Sequence, residues 1–254
     1  MELNLQGKRA LITGGSKGIG LACAHGLAAE GTHLAIAART VEPLKDATRA
    51  LRAGYEVEVT SHSCDLGRSE HQVALVDVVG DVDILINNAG AIPGGTLDAI
   101  DEKQWRSAWD LKVFGYINLC RLVLPTMIER GSGVIINVIG AAADHPRAGY
   151  VAGAAGNSAL VGLTKALGAT STTHGVRVVG VNPGMTLTNR METLLRESAE
   201  RTLGNAERWE ELIPSDPAPA TAAQVADVVV FLASERAGHI SGTTIPVDGG
   251  ASAR

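Results

Sequence analysis

The sequence predicts an α/β chain, with a doubly wound parallel sheet of about seven strands and helices on both faces. Three observations predict it. Short apolar runs of strand length alternate with longer stretches of helical period, the alternation runs through the chain without an internal repeat, and a glycine cluster sits between the first run and the first helical stretch. In order, the strand candidates are residues 9–13, 33–38, 56–60, 82–87, 134–138, 177–181 and 243–247. Between them lie amphipathic stretches near 18–30, 42–53, 69–79, 101–130, 150–173 and 221–234, each long enough to cross the sheet and return. The stretch 185–220 breaks the pattern, mixing helix-like pieces with a proline-rich exit. It reads as a lid inserted into a single domain of residues 1–254.

Composition narrows the function classes. The chain has 254 residues, 45% of them hydrophobic, which suffices for one sizeable core. A formal net charge of -5 leaves no electrostatic footprint for nucleic acid or anionic lipid, so neither is an expected partner. No run reaches the ~18 consecutive apolar residues of a membrane span, and the N-terminus lacks the order of a signal peptide. Cys23, Cys64 and Cys120 are odd in number and far apart, as expected of free thiols in a cytoplasmic protein. His62 and Cys64 have no second ligand pair beside them, and no metal site is expected. Aromatics are scarce: three Trp, three Tyr and two Phe, so a mechanism that needs a phenol has three candidates.

After the first strand comes Thr13-Gly14-Gly15-Ser16-Lys17-Gly18-Ile19-Gly20, then a helix. Glycines here let the backbone turn tightly and bring amide groups against a phosphate at the helix N-terminus, the signature of a Rossmann-type sheet. With Asp65 in the CDL of 64–66, Asn87-Asn88-Ala89-Gly90 after the fourth strand, Pro183-Gly184 after the sixth and Val247-Asp248-Gly249-Gly250 near the end, the chain resembles the short-chain dehydrogenase/reductase family nearly end to end. The resemblance implies that Gly14, Ser16, Gly18, Ile19 and Gly20 line a cofactor's pyrophosphate. It puts Asp65 and Leu66 at the adenine, Asn88, Ala89 and Gly90 at the adenosine ribose, and Pro183, Gly184 and Thr186 beside the nicotinamide. The second strand ends on Arg39 where an acid would select NAD(H). Arg39, with Lys17 as a second positive charge, predicts NADP(H) in preference to NAD(H).

The catalytic end departs from the family. Its usual chemistry takes a tyrosine, a lysine four residues on, a serine after the fifth strand and an asparagine on the preceding helix. The ungapped register, anchored on 159–167, puts Gly153 at the tyrosine, Asn157 at the lysine, Gly140 at the serine and Lys112 at the asparagine. A second register aligns Tyr150 with the tyrosine, but then Ala154 takes the lysine's place and the helix needs a three-residue insertion. In the ungapped register Tyr150, Gly153 and Asn157 share a helical stripe, although a helical side chain leans toward the N-terminus, which would point the phenol away from Gly153. Tyr55 is read at the start of the third strand and Tyr116 as packed between helices. The candidates for proton transfer are therefore Tyr150, Lys112, Asn157 and His145, the last oriented by Asp144. For Lys112 the competing reading is a space-filling lysine bound to a backbone carbonyl or to Asn157.

Two functions follow. One is an NADP(H)-dependent oxidoreductase acting on a small carbonyl or alcohol substrate through a non-standard site. The other is an NADP(H)-binding protein without hydride transfer: a redox sensor, a partner subunit or a non-redox catalyst. The resemblance implies a homodimer or homotetramer packed through the helices at 101–130 and 150–173.

Overall fold

The computed structural model of the chain describes residues 2–253. Seven parallel strands form the sheet: β1 (Arg9–Thr13), β2 (His33–Ala38), β3 (Val59–Ser63), β4 (Ile84–Asn87), β5 (Gly133–Val138), β6 (Val176–Pro183) and, after a ribbon of two short strands, β7 (Thr186–Leu187) and β8 (Ala220–Thr221), the last strand β9 (Thr244–Val247). The spatial order in the sheet is β3-β2-β1-β4-β5-β6-β9. Helices α1 (Gly18–Ala29), α2 (Val41–Gly54) and α8 (Ala222–Ala233) cover one face. The other carries α3 (Ser69–Val79), α4 (Glu102–Trp109), α5 (Gly115–Arg130) and α6 (Val151–Thr170).

The strands read as continuous apolar runs because they are buried on both sides, and the two-residue period sorts each side chain to a face. Ala10 and Ile12 join Ile84, Ile86, Val134 and Ile136 under α1 and α8. Leu11, Leu85 and Ile135 face Leu119, Val123 and Met127 of α5 on the other side. Strand order reverses between β1 and β4, which opens a crevice at their carboxyl ends, where ligands of such sheets bind.

Three readings of the sequence are corrected. The third strand begins at Val59, not at residue 56; it is an edge strand whose mostly exposed residues carry little periodic signal. Tyr55 consequently ends α2 and contacts the His25 ring through its hydroxyl at 3.3 Å. Glu102–Arg130, in which a π-helical turn (Asp110–Phe114) joins α4 to α5, is by length and composition apolar enough to cross a membrane. Scattered polar residues such as Asn118 and Arg121 hide this from a count of consecutive apolar positions, and here Leu119, Cys120, Val123 and Met127 lie in the core.

The 185–220 stretch leaves and re-enters through β7 and β8, which pair as two-residue parallel strands. Between them α7 (Asn189–Leu203) starts on Thr188, whose hydroxyl accepts the Met191 N–H, and is followed by a 3-10 helix at Ala206–Leu212.

Candidate active site

The crevice is stitched at its floor. Thr13 at the end of β1 donates its hydroxyl to the Ile86 carbonyl and accepts the Asn88 and Ala89 amides at 2.8 and 3.0 Å; Asn88 in turn donates its side-chain amide to the Thr13 and Gly14 carbonyls. Beside this knot the glycines are required by contact. A Cβ on Gly20 would overlap the Gly14 carbonyl, and one on Gly14, at φ +67°, would stand 2.8 Å from the Asn88 amide nitrogen. Helix α1 begins without a side-chain cap, leaving its first amides open toward the groove. This uncapped, glycine-rich turn fits a dinucleotide diphosphate.

The groove has a volume of about 340 Å³. Gly14, Lys17, Gly18, Ile19, Asn88, Ala89, Gly90, Pro183, Gly184 and Thr186 all line it. Arg39 and Asp65 line a wider neighbouring depression, where Asp65 accepts the Gly67 amide at 3.0 Å. Among the described residues no carboxylate lies within 4.0 Å of the Arg39 guanidinium. Lys17 lines the diphosphate groove, not the depression that holds Arg39, so the two charges are not brought to one pocket. Ser16 and Gly20 do not line the groove, Gly20 acting through the close approach just described. The Leu66 side chain is buried in the core beneath α3.

At the catalytic end the exchanged residues refill one another's space. A Cβ on Gly153 would overlap Cε1 and Cζ of Tyr150, so the Tyr150 ring occupies the room a side chain at 153 would use. The expected outward lean does not apply: Tyr150 precedes α6 with a non-helical backbone (φ -144°, ψ 38°), freeing its side chain to fold back along the helix. The loops at 95 and 149 hold it there through the Gly95 amide on the Gly149 carbonyl at 2.8 Å. Burial pushes the Tyr150 phenol up, and the Arg190 charge pulls it the other way. The Asn157 amide nitrogen lies 3.4 Å from the Gly140 carbonyl, and a Cβ on Gly140 would stand 2.9 Å from that nitrogen. Asn157 is buried, with its oxygen lacking a protein donor.

Lys112 lies in the π-helical turn against Gly90, lines the groove, and donates to the Ile139 carbonyl at 2.6 Å. The carbonyl contact is the one the space-filling reading names. Burial pulls its ammonium down to about 8. Tyr116 is buried, as expected, and donates to the Val138 carbonyl at 2.9 Å. His145 is exposed and, like Tyr150 and Asn157, is not among the residues that line the groove; Asp144, its expected partner, accepts the Asn182 amide at 2.6 Å.

Sequence reasoning missed Arg190. It lines the groove from the first turn of α7 and donates through Nη2 to the Ile92 carbonyl at 2.7 Å. The available signal was a cation where a helix N-terminus disfavours one.

A doubly wound parallel sheet with a glycine turn at its switch point and side chains converging on the carboxyl ends defines a nucleotide-dependent oxidoreductase of the short-chain type. The chain belongs to this family: the model described as short chain dehydrogenase matches residues 8–199. It is 33% identical over 253 residues to 2,3-dihydro-2,3-dihydroxybenzoate dehydrogenase of Bacillus subtilis, covering 97% of each chain. Dehydrogenase/reductase SDR family member 4 of Sus scrofa is 32% identical over 266 residues, covering 98% of this chain and 89% of that one. The L-sorbose reductase of Gluconobacter frateurii, solved with NADPH and L-sorbose, superposes with a TM-score of 0.90 at 33% identity over 98% of both chains.

Proposed function

We propose that the chain is an NADP(H)-dependent oxidoreductase that works between a small carbonyl compound and its alcohol, with Tyr150 serving the substrate oxygen in place of the family's tyrosine. The observation that carries this reading is the Tyr150 ring lying in the side-chain space of Gly153. Bound in the groove, NADPH would supply a hydride to a carbonyl carbon, and NADP⁺ would take one back. Tyr150 then gives the proton to the carbonyl oxygen. Burial keeps its phenol protonated at neutral pH, the form that gives a proton in carbonyl reduction, whereas alcohol oxidation calls for its phenolate. Lys112, titrating near neutrality at the groove wall, is the second group able to hold a proton there. Asn157 positions the Gly140 peptide, and His145 takes no part.

Gly14, Gly18, Ile19 and the open amides of α1 would hold the diphosphate, Asn88 to Gly90 the ribose, and Pro183, Gly184 and Thr186 the nicotinamide. Arg39, with no carboxylate within 4.0 Å among the described residues, favours NADP(H) through the 2′-phosphate. Support also comes from the NADPH in the L-sorbose reductase structure. The α7 segment acts as a lid, contributing Thr188 to Met191 to the groove. Association as a dimer or tetramer would use the apolar surface along α4, where Leu97 and Phe114 are 70% and 50% exposed. Three unpaired thiols suit a cytoplasmic location.

The test is a fluorescence titration with NADPH and NADH, followed by turnover on ketones, aldehydes, quinones and secondary alcohols. Saturable NADPH binding with reduction of a carbonyl is expected. Tight binding with no turnover on a broad panel would instead favour a cofactor-binding protein without hydride transfer, a reading drawn from the exchange of all four family residues.

A further inference from the structure

Among the relatives, one is named for a dihydroxybenzoate and another for a neutral sugar, so membership of the family leaves the substrate's charge open. The groove itself carries a sign. Its charged lining residues are Lys17, Lys112 and Arg190, with no aspartate or glutamate among them. Lys17 stands on the diphosphate turn, where a cofactor's phosphates answer its charge. Lys112 and Arg190 stand farther along, the first against the Ile139 carbonyl and the second against the Ile92 carbonyl. Among the described residues no carboxylate comes within 4.0 Å of either. The same segment neutralises other arginines: Arg196 pairs with Glu192 and Glu207, and Arg208 with Glu211.

Two features raise the cost of leaving this charge unanswered. Arg190 is the second residue of α7, where it adds to the positive end of a helix dipole. Lys112 is buried in the wall of the same groove, where an ammonium without a carboxylate partner loses its hydration. Helix α7 begins beside the diphosphate turn, where Thr188 comes within 3.3 Å of where a Cβ on Gly18 would be. Arg190 is instead tied to Ile92, which packs in one cluster with Tyr150.

We propose that the substrate is an anion, a carboxylate-bearing carbonyl compound or the matching hydroxy acid, with its carboxylate held by Arg190 and its charge balanced further by Lys112. This rests on the reading of the crevice as an oxidoreductase site. Arg190 offers a planar fork suited to a carboxylate, and the neighbouring Tyr150 phenol serves the carbonyl of the same molecule.

The test uses the NADPH-loaded protein with 2-, 3- and 4-oxo acids and their methyl esters, on wild type, Arg190→Met and Arg190→Lys. Wild type is expected to prefer an acid over its ester by about 10–100-fold in kcat/KM, the range of a charge-assisted hydrogen-bonded pair. Arg190→Met should collapse that ratio toward one by raising KM for the acid, Arg190→Lys should restore part of it, and NADPH affinity should hold in both. Esters used as well as acids would overturn the proposal. So would a loss of NADPH affinity matching the rise in KM, which would assign Arg190 to the cofactor phosphates. If wild type turns over nothing, hydride transfer fails as a reading, and binding alone decides the anion site. Oxo-acid binding measured by calorimetry and lost in Arg190→Met would sustain it, and no binding of any acid would end it.

Discussion

The crevice joins two ends built on opposite principles. At the diphosphate end the work falls to backbone: Gly14, Gly18 and Gly20 have no side chains because carbonyls, amides and a neighbouring loop already fill the space. At the end proposed for the substrate the surfaces are side chains, which in the ungapped register stand in for the family's catalytic residues. Tyr150 fills the room at Gly153, Asn157 leans over Gly140, and Lys112 reaches the carbonyl next to it. The difference teaches that a site made of backbone has little slack, since an added Cβ collides at Gly14 and Gly20 and meets a left-handed backbone at Gly18, whereas a site made of side chains can be re-dealt if each lost volume is refilled.

The sharpest way to break the comparison is Tyr150→Phe. If the substrate end has been re-dealt and not emptied, kcat should fall by about 10²–10⁴-fold with NADPH affinity unchanged, as measured by stopped-flow and titration. Retained kcat would mean that no phenol serves the reaction.

Lys112 gives the next largest effect, read in stability. Its ammonium titrates at about 8 in the fold and at 10.5 when unperturbed. Between those pH values the unfolded chain holds a proton that the folded chain lacks, so the Lys112 contribution raises stability as pH rises through this window; below it the folded protein bears the cost of a buried ammonium. Lys112→Met should therefore lack that rise and gain up to about 3 kcal/mol near pH 7. Urea melts of both proteins at pH 7 and pH 10 check this, and parallel pH dependence would show that the lysine is hydrated.

On the cofactor side, Arg39→Ala should weaken NADPH binding by about 10–100-fold while NADH binding changes little. Equal weakening of both would remove Arg39 from the 2′-phosphate. The smallest effect is expected of Gly140→Ser, which restores a family residue yet should cost about 1–3 kcal/mol, because φ is +136° and the new Cβ meets Asn157. Adding Asn157→Ala should recover part of the loss, a coupling that a double-mutant cycle measures.

Much of the fold was legible because parallel strands buried on both faces announce themselves as apolar runs, and the glycine turn marked where the crevice opens. The edge strand was misplaced because its exposed residues carry no burial signal. Within the site, spacing in the ungapped register puts Gly153, Asn157, Gly140 and Lys112 at the positions of the family's four catalytic residues, but does not show what surrounds them. The Tyr150 ring direction depends on a residue leaving helical geometry just before α6, and Asp144, the partner expected of His145, meets Asn182, 38 residues on. Neither is a local property of the sequence. Arg190 was hidden for a related reason, since its charge gains meaning only when α7 is folded against the loop of Ile92.

The overlap of Tyr150 with Gly153 also constrains the history of the chain. A side chain cannot be placed at 153 while the Tyr150 ring stands where it does. The two positions are therefore coupled, and a change at one requires a change at the other. Such a step is hard to retrace one substitution at a time, so descendants of this chain are expected to keep the exchange.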